Sequence, residues 1–381
     1  MVSLNCSFPC QISYYRDSVE LARALQGAMA VMLADGSLQI PQIPAIRVPA
    51  AGAGAAAGAW LGQLAVRALA AWPRVRLVVV ILAYRRLASL QRLCRSLEQA
   101  YYFGDQVDVM VHVDAGADAD SMAGAAAVAT FVNEWTWPHG RKTLRQRTQH
   151  AGLVLSVVEA WTPTSDDEFA VLLEDDVSVS PQWYDWAKRA VLTYNYGPRS
   201  ARLSGQLYGV SLYTPRLLEL QQPRRRFDAH TELAQRPPAC PFLFPVPCSW
   251  GSVYFPRHWR QFQDYMARVL LKVEPPYTVP GSASNGWAAS WKKHFIELVH
   301  QRRWVALYPN FANQTSFSTN HLEPGEHIGT DRTRLAHLPR DYTVPLWDAR
   351  VHYSSQLPFL PPKLTALPRL DLFGNLAVDG R

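Results

Sequence analysis

Residues 169–179 read Phe-Ala-Val-Leu-Leu-Glu-Asp-Asp-Val-Ser-Val. Five residues suited to a buried strand, 169–173, run straight into Glu174, Asp175 and Asp176, after which an apolar pattern resumes. A continuous apolar run bounded by polar residues predicts a central strand covered on both faces. Open α/β sheets bind ligands just outside the carboxyl ends of such strands. Three adjacent acids repel one another unless a cation or hydrogen-bond donors offset their charge, and all-oxygen ligands suit a hard divalent ion such as Mg2+ or Mn2+. Because Mg2+ is commonly held by one or two carboxylates together with substrate phosphates, the triplet points to a metal and diphosphate site. A plainer reading stands beside it: a solvated acidic turn in front of a helix over 182–193, with Ser180 as N-cap and Pro181 at N1. The triplet alone does not choose between them.

Upstream, residues 75–83, Val-Arg-Leu-Val-Val-Val-Ile-Leu-Ala, form the strongest strand signal in the chain, rich in β-branched residues. Tyr84-Arg85-Arg86 then opens a helix whose apolar positions Leu87, Leu90, Cys94, Leu97 and Tyr101 keep helical spacing. A second strand over 107–113 ends at Asp114-Ala115-Gly116, which completes a right-handed βαβ unit. Helices are expected over 122–135 and 151–161. Three strand ends thus carry Arg85, Asp114 and the triplet, and in a parallel sheet they converge on one crevice. The chain has no G-x-G-x-x-G after the first strand and no Walker A sequence, which weighs against dinucleotide-binding and P-loop domains.

Downstream, residues 201–210 contain Ser-Gly-Gln-Leu-Tyr-Gly, expected as a strand whose glycines admit a close neighbour. A proline-dense loop over 237–247 leads into Ser-Trp-Gly-Ser-Val-Tyr-Phe-Pro at 249–256, then a helix over 258–272. Trp250-Gly251 suits either a platform for a flat ring or sugar face, or ordinary aromatic core. A helix is expected over 282–299, carrying Trp287 and Trp291, and a strand over 303–308. His321 and His327 flank Glu323 and Glu326, and either histidine is placed to reach a metal. Residues 1–72 read as an irregular segment ending in an Ala/Gly-rich linker, 73–330 as the compact domain, and 331–381 as a Pro- and Leu-rich tail that wraps or covers the domain.

The chain has 381 residues, 48% hydrophobic and 18% charged, enough for a large core. Thirteen Trp, sixteen Tyr and 28 Pro favour a pocketed enzyme with long ordered loops over a helical bundle. A net charge of +7 invites polyanionic partners, yet the basic residues are scattered outside Arg224 to Arg226 and the group Arg141, Lys142, Arg145 and Arg147. With no zinc-finger spacing or RNA-binding signature, no nucleic acid partner is expected. No stretch reaches about 18 uninterrupted apolar residues, so membrane association would need a segment not evident in the sequence. Five cysteines forbid complete internal pairing; Cys240 and Cys248 bracket a short loop as a candidate disulfide, while Cys94 sits on an apolar helical stripe. Asn5-Cys6-Ser7 and Asn313-Gln314-Thr315 match the N-glycosylation pattern.

Val-Val-Ile-Leu-Ala-Tyr-Arg, Val-His-Val-Asp-Ala-Gly, Leu-Leu-Glu-Asp-Asp-Val-Ser-Val-Ser-Pro and Ser-Trp-Gly-Ser-Val-Tyr-Phe-Pro together resemble the GT-A nucleotide-sugar glycosyltransferases. Their order is most similar to N-acetylglucosaminyltransferase I and its O-mannose relatives, and the segments from Ser290 and Tyr308 onward resemble an uncharacterised plant and algal glycosyltransferase-like group. The resemblance covers residues 73–330 and implies a GT-A, Rossmann-like α/β fold with a mixed, mostly parallel sheet flanked by helices. It implies transfer of a sugar from a UDP-sugar to an acceptor hydroxyl on a glycan or glycoprotein, with Mn2+ or Mg2+ bound. In that reading Arg85 contacts the nucleotide, Asp114 accepts from the uracil ring, His150 lines the nucleotide pocket, and Glu174 and Asp175 touch ribose and water. Asp176 binds Mn2+, His321 is a further metal ligand, and Gly251 lies beside the donor sugar. Golgi lumen is the implied location, with cytoplasm the alternative should no anchor or signal exist.

One departure matters. The inverting relatives carry a catalytic aspartate in a Trp-Asp-Asp-Trp-like segment, whereas residues 285–291 here read Asn-Gly-Trp-Ala-Ala-Ser-Trp with no carboxylate. A general base must lie within hydrogen-bond reach of the proton it removes, so Glu323 or Asp264 is the candidate replacement. The alternatives are a different stereochemical route or a sugar-nucleotide-binding module that has lost transfer. A nucleotidyltransferase is a further alternative, although Tyr84-Arg85-Arg86-Leu87 lacks the Gly-rich phosphate loop it would want.

Overall fold

The structure is a computed structural model describing residues 68, 70–197, 205–233, 240–273, 275, 277–321, 323, 342–348, 360 and 363–377. The chain lays down β1 (Arg76–Ala83), α1 (Leu87–Glu98), β2 (Val109–Val113), α2 (Ala119–Glu134), β3 (Lys142–Gln146), α3 (Gly152–Val158), β4 (Glu168–Glu174), β5 (Val177–Val179) and α4 (Trp183–Val191). There follow β6 (Leu207–Ser211), β7 (Leu217–Leu218), β8 (Arg225–Arg226), β9 (Phe242–Phe244), β10 (Ser252–Tyr254), α5 (Pro256–Leu270), α6 (Trp291–Arg302), β11 (Val305–Tyr308) and β12 (Ser318–Asn320). Eight strands form one sheet in the order β3-β2-β1-β4-β10-β6-β11-β9. The pairings among β3, β2, β1 and β4 are parallel, β11 pairs β6 in parallel, and β10 and β9 run antiparallel to their neighbours. The sheet is thus mixed and mostly parallel with helices on both faces, as expected.

Strand alternation divides the core. Leu77, Val79, Ile81, Val171 and Leu173 face one cluster, closed by Leu90, Leu93 and Leu97 of α1 and Trp183 and Trp186 of α4. Val78, Val80, Ala170 and Leu172 face the other, closed by Trp259 and Phe262 of α5 and Phe295 and Ile296 of α6. Burying each such aliphatic side chain is worth about 1.5–3 kcal/mol. Cys240 belongs to the first cluster and Cys248, a free thiol, to the second, so the candidate disulfide does not form: the sheet lies between them. Cys94 is core, as its stripe predicts, and burial pushes its thiol well up.

Several expected boundaries move. The helix expected from Met122 begins at Ala119, because Asp118 accepts the Ser121 N–H while Ser121 Oγ accepts the Asp118 N–H, a capping box. β3 went unseen: Lys-Thr-Leu-Arg-Gln lacks an apolar run, and the basic cluster it belongs to is an edge strand beside β2. Its Lys142 Nζ donates to carbonyls at the end of α2, including Asn133 O at 2.9 Å, and so caps that helix. The helix expected over 282–299 is split. A 3-10 turn over Ala283–Gly286 is followed by α6, with Ala289 at φ 47° and Ser290 capping the Lys293 N–H. Ser180 is not an N-cap; Gln182 is, and the Ser180 hydroxyl bonds the Trp347 carbonyl. Residues 198–204 and 234–239, within two expected stretches, lie outside the described residues, as do Asn5 and His327. Gly209 does admit a close neighbour, since a Cβ there would meet Val253 O at 2.5 Å. Segments 342–348 and 363–377 pack onto the domain, with Trp347 over Phe311 and Leu370 N–H on Leu243 O.

Candidate functional site

The ends of β2, β1 and β4 finish in register, Ala83 opposite Val113 and Leu82 opposite Glu174. The ladder runs one residue further at each end: Asp114 N–H donates to Ala83 O and Asp175 N–H to Leu82 O, both 3.1 Å. Asp114 and the acidic triplet therefore share one edge of the sheet, as convergence of parallel strand ends predicts. β4 stops at Glu174, Asp175 and Asp176 make the turn, and β5 returns to pair with β12. The solvated-turn reading fails here, because Asp175 is only 2% exposed.

Two aspartates share one guanidinium. Arg86 Nη2 pairs with Asp175 Oδ1, and Arg86 Nη1 lies 3.3 Å from Asp176 Oδ2. Asp175 Oδ2 and Asp176 Oδ1 are buried with no hydrogen-bond partner among the described residues. Burial raises Asp175 to about 6 against the pull of Arg86, and it raises Asp176 as well. Glu174 is half-buried in a narrow cleft lined by Leu82, Leu172, Cys248, Tyr254 and Trp291. That enclosure, with the charges of Asp176 and Asp175, pushes Glu174 up to about 8. Burial opposes the Arg86 charge, but Asp175, Asp176 and Glu323 outweigh it and hold its proton more tightly than usual.

The candidate base Glu323 joins this cluster from the far side. Ser89 Oγ donates to its Oε2 and Arg92 Nη2 to its Oε1. Burial pulls Glu323 up, yet those two donors overcome it and leave the carboxyl below its ordinary range. His321 sits beside the triplet: its N–H donates to Asp176 O at 2.8 Å, and its Nε2 lies 2.8 Å from Ser178 Oγ. Burial, helped by Arg92, lowers His321. Gly251, at φ 96°, packs where a Cβ would meet Ser318 Oγ, Leu173 and Leu212 at 3.2–3.3 Å, so it abuts the strand that ends in the triplet.

Asp114 is committed to the chain itself. Its oxygens accept the N–H groups of Ala115, Ala151 and Gly152, at 2.9–3.0 Å for the shortest bond to each, and His150 Nδ1 lies 3.0 Å from Oδ2. His150 Nδ1 is also 2.9 Å from Ala115 O, and its ring lies 5.6 Å from Tyr84. Arg85 is exposed, its guanidinium over the Tyr84 ring at 5.7 Å. Asp264 is exposed on α5, whose other face buries Trp259, Phe262 and Tyr265. Trp250 stands edge-on to Tyr213 and Tyr342, at 4.9 and 5.0 Å.

The residue that sequence reasoning missed is Arg86. A usable signal was present: Ser89, Arg92 and Ser96 recur at helical spacing on α1 directly after Arg86, its N-cap residue, and this polar stripe faces the acids and β5. Ser96 Oγ accepts the Val179 N–H at 3.1 Å, so the stripe runs along β5.

Among the described residues no set of three His, Cys, Asp or Glu side chains converges as a complete metal cage. The residues present fit a hard ion of another kind: two carboxylates, each with an orphaned buried oxygen, match the one or two protein ligands that Mg2+ or Mn2+ takes beside phosphate oxygens. No described helix is long and apolar enough to cross a membrane.

The family described as SPBC1E8.03c C-terminal domain matches residues 88–219, less than half the chain. No curated protein matches. Among solved structures, a mannosyltransferase from Pyrobaculum calidifontis, in complex with GDP-Man and Mn2+, is 14% identical with a TM-score of 0.38. That match covers 77% of this chain and 67% of that one. TarS residues 1–349 from S. aureus, in complex with UDP-GlcNAc, are 11% identical with a TM-score of 0.34, over 66% of this chain and 60% of that one. Likenesses this distant carry no argument about what this chain does.

Proposed function

We propose that the protein is a metal-dependent glycosyltransferase that takes a sugar from a UDP-sugar to an acceptor hydroxyl on a glycan. The observation that carries the reading is the pair of orphaned carboxylate oxygens on Asp175 and Asp176, at the carboxyl end of a central parallel strand. The resemblance of the surrounding segments to GT-A enzymes supports the same reading. Asp176 and Asp175 would hold Mn2+ or Mg2+, which when bound stabilises the charge that grows on the departing diphosphate. The chain's own residues do the rest. Asp114 and His150 fix the opening of α3 beside the neighbouring strand end, and Gly251 lets its loop pack closely against Leu173 of the strand that carries the triplet. Glu323, with Ser89 and Arg92 on its two oxygens, is a weak base in this state.

That last point, with the carboxylate-free segment 285–291, favours one second reading: a sugar-nucleotide-binding module without transfer. Calorimetric titration with UDP and Mn2+, followed by an assay for release of nucleoside diphosphate from the sugar donor, separates the two. Binding with turnover supports the enzyme, and binding without turnover supports the module. Absence of binding removes both. Asp176→Asn should abolish Mn2+-dependent donor turnover while leaving the fold intact.

A further inference from the structure

We infer that Arg86 is a resident counter-ion that occupies the cation's place in the ion-free protein and must let go of Asp176 before a divalent ion can settle there. The inference rests on the metal-site reading above and adds a residue that reading does not use. One guanidinium fork spans two successive carboxylates, Asp175 through Nη2 and Asp176 through Nη1. It satisfies only one oxygen of each, leaving Asp175 Oδ2 and Asp176 Oδ1 buried and without a partner among the described residues. Arginine neutralises the pair without completing it.

The clamp is lopsided. The Asp175 contact is the shorter, and at 3.3 Å the Asp176 contact is the looser of the two. A divalent ion taken up by Asp176 would stand next to a fixed positive charge, which repels it strongly at such distances in a partly buried setting. The Arg86 side chain is 23% exposed, so solvent and an incoming ligand reach the guanidinium from the strand-end side. An incoming nucleoside diphosphate supplies the negative charge that would receive the displaced guanidinium, since Arg binds phosphate oxygens bidentately. Ion and diphosphate are therefore expected to bind together, and the ion alone only weakly. Arg86 acts here as a positioning residue, setting the order in which the site fills.

The test is a titration of the full chain with Mn2+ alone, reading free Mn2+ by electron paramagnetic resonance, and then again with UDP present. Arg86→Met should bind Mn2+ alone at least tenfold more tightly than the parent protein, Arg86→Lys by an intermediate factor, and UDP should enhance Mn2+ affinity less in Arg86→Met than in the parent. Adding Asp176→Asn to Arg86→Met should erase the gain. Unchanged or weaker Mn2+ binding by Arg86→Met overturns the inference; where that variant fails to fold, by near-ultraviolet circular dichroism, the same result with Arg86→Lys does so. If the parent binds UDP with Mn2+ and the Arg86 variants do not differ from it, only the role of Arg86 is lost. If neither parent nor variants bind Mn2+ and UDP together, the metal-site reading falls with it.

Discussion

Glu174→Gln in the metal-free protein should make the fold more stable, by an amount that depends on pH in a defined way. Glu174 lies in a cleft of apolar side chains at the end of β4, has no hydrogen-bonding or ion-pair partner among the described residues, and is raised from 4.5 to about 8. A carboxyl whose folded value is raised contributes stability that is fully present below its unfolded value and is lost as pH rises through the folded one. Between 4.5 and 7 the parent therefore loses about 3 kcal/mol that the neutral amide does not, at roughly 1.4 kcal/mol per pH unit. The gap between variant and parent should be under about 1 kcal/mol at pH 5, about 3 at pH 7, and close to its ceiling of about 5 by pH 9. Urea denaturation with a chelator present, at those three pH values, measures it directly. Equal stability at pH 7, or a gap that does not widen with pH, would refute the claim that enclosure by the cleft governs this acid.

Four further outcomes follow from other parts of the structure. Burial lowers His258 to about 4, with Nε2 on Gly205 O at 2.6 Å and Nδ1 without a partner among the described residues, so its contribution is complete above 6.5 and is lost as pH falls towards 4. His258→Gln should flatten the acid limb of an unfolding-free-energy-against-pH profile, from urea denaturation, by about 1 kcal/mol per pH unit in that window; parallel limbs would count against it. Gly251→Ala should cost about 1–3 kcal/mol, from a φ of 96° and contacts at 3.2–3.3 Å, read as a lower urea midpoint. Lys142→Met should cost about 1–2 kcal/mol by uncapping α2, with faster amide exchange confined to residues near 132–135 as the local signature. Asp176→Asn should remove Mn2+-dependent release of nucleoside diphosphate with an unchanged melting curve or a slightly higher one, because it takes away a buried charge.

Much of the fold was legible because it is written in short-range pattern. The apolar runs of β1 and β4 and the 3-to-4-residue stripe of α1 each carry their own signal, and the rule that parallel strands end together places Asp114 with the triplet. What stayed hidden is decided by contacts distant in sequence. β3 is a strand because β2 offers it an edge, not because Lys-Thr-Leu-Arg-Gln asks to be one. Ser180 looks like an N-cap in sequence, but residue 347 takes its hydroxyl. Cys240 and Cys248 are eight positions apart yet lie in core clusters on opposite faces of the sheet, a separation that spacing cannot reveal.

The choice between Arg85 and Arg86 shows where pattern reading stops. Both follow β1, and both carry the same charge, so a motif comparison places either one at the nucleotide. The deciding fact is the path of the backbone into α1. Residue 86 caps α1 just before its polar stripe of Ser89, Arg92 and Ser96, whereas residue 85 projects over Tyr84. The turn between β1 and α1 sends the two side chains different ways: Arg86, the N-cap of α1 at φ −96° and ψ 77°, meets the acids, while Arg85 lies over Tyr84. Helical spacing brings Ser89 and Arg92 together onto Glu323, so α1 and its cap residue both neutralise the proposed ion ligands and disarm the nearest candidate base. In the ion-free protein the acids and the candidate base are thus both held by α1 and the residue that caps it. On the proposed reading, a ligand that brings an ion to Asp176 has to draw Arg86 away from it, and freeing Glu323 has to loosen Arg92 one to two turns further along α1.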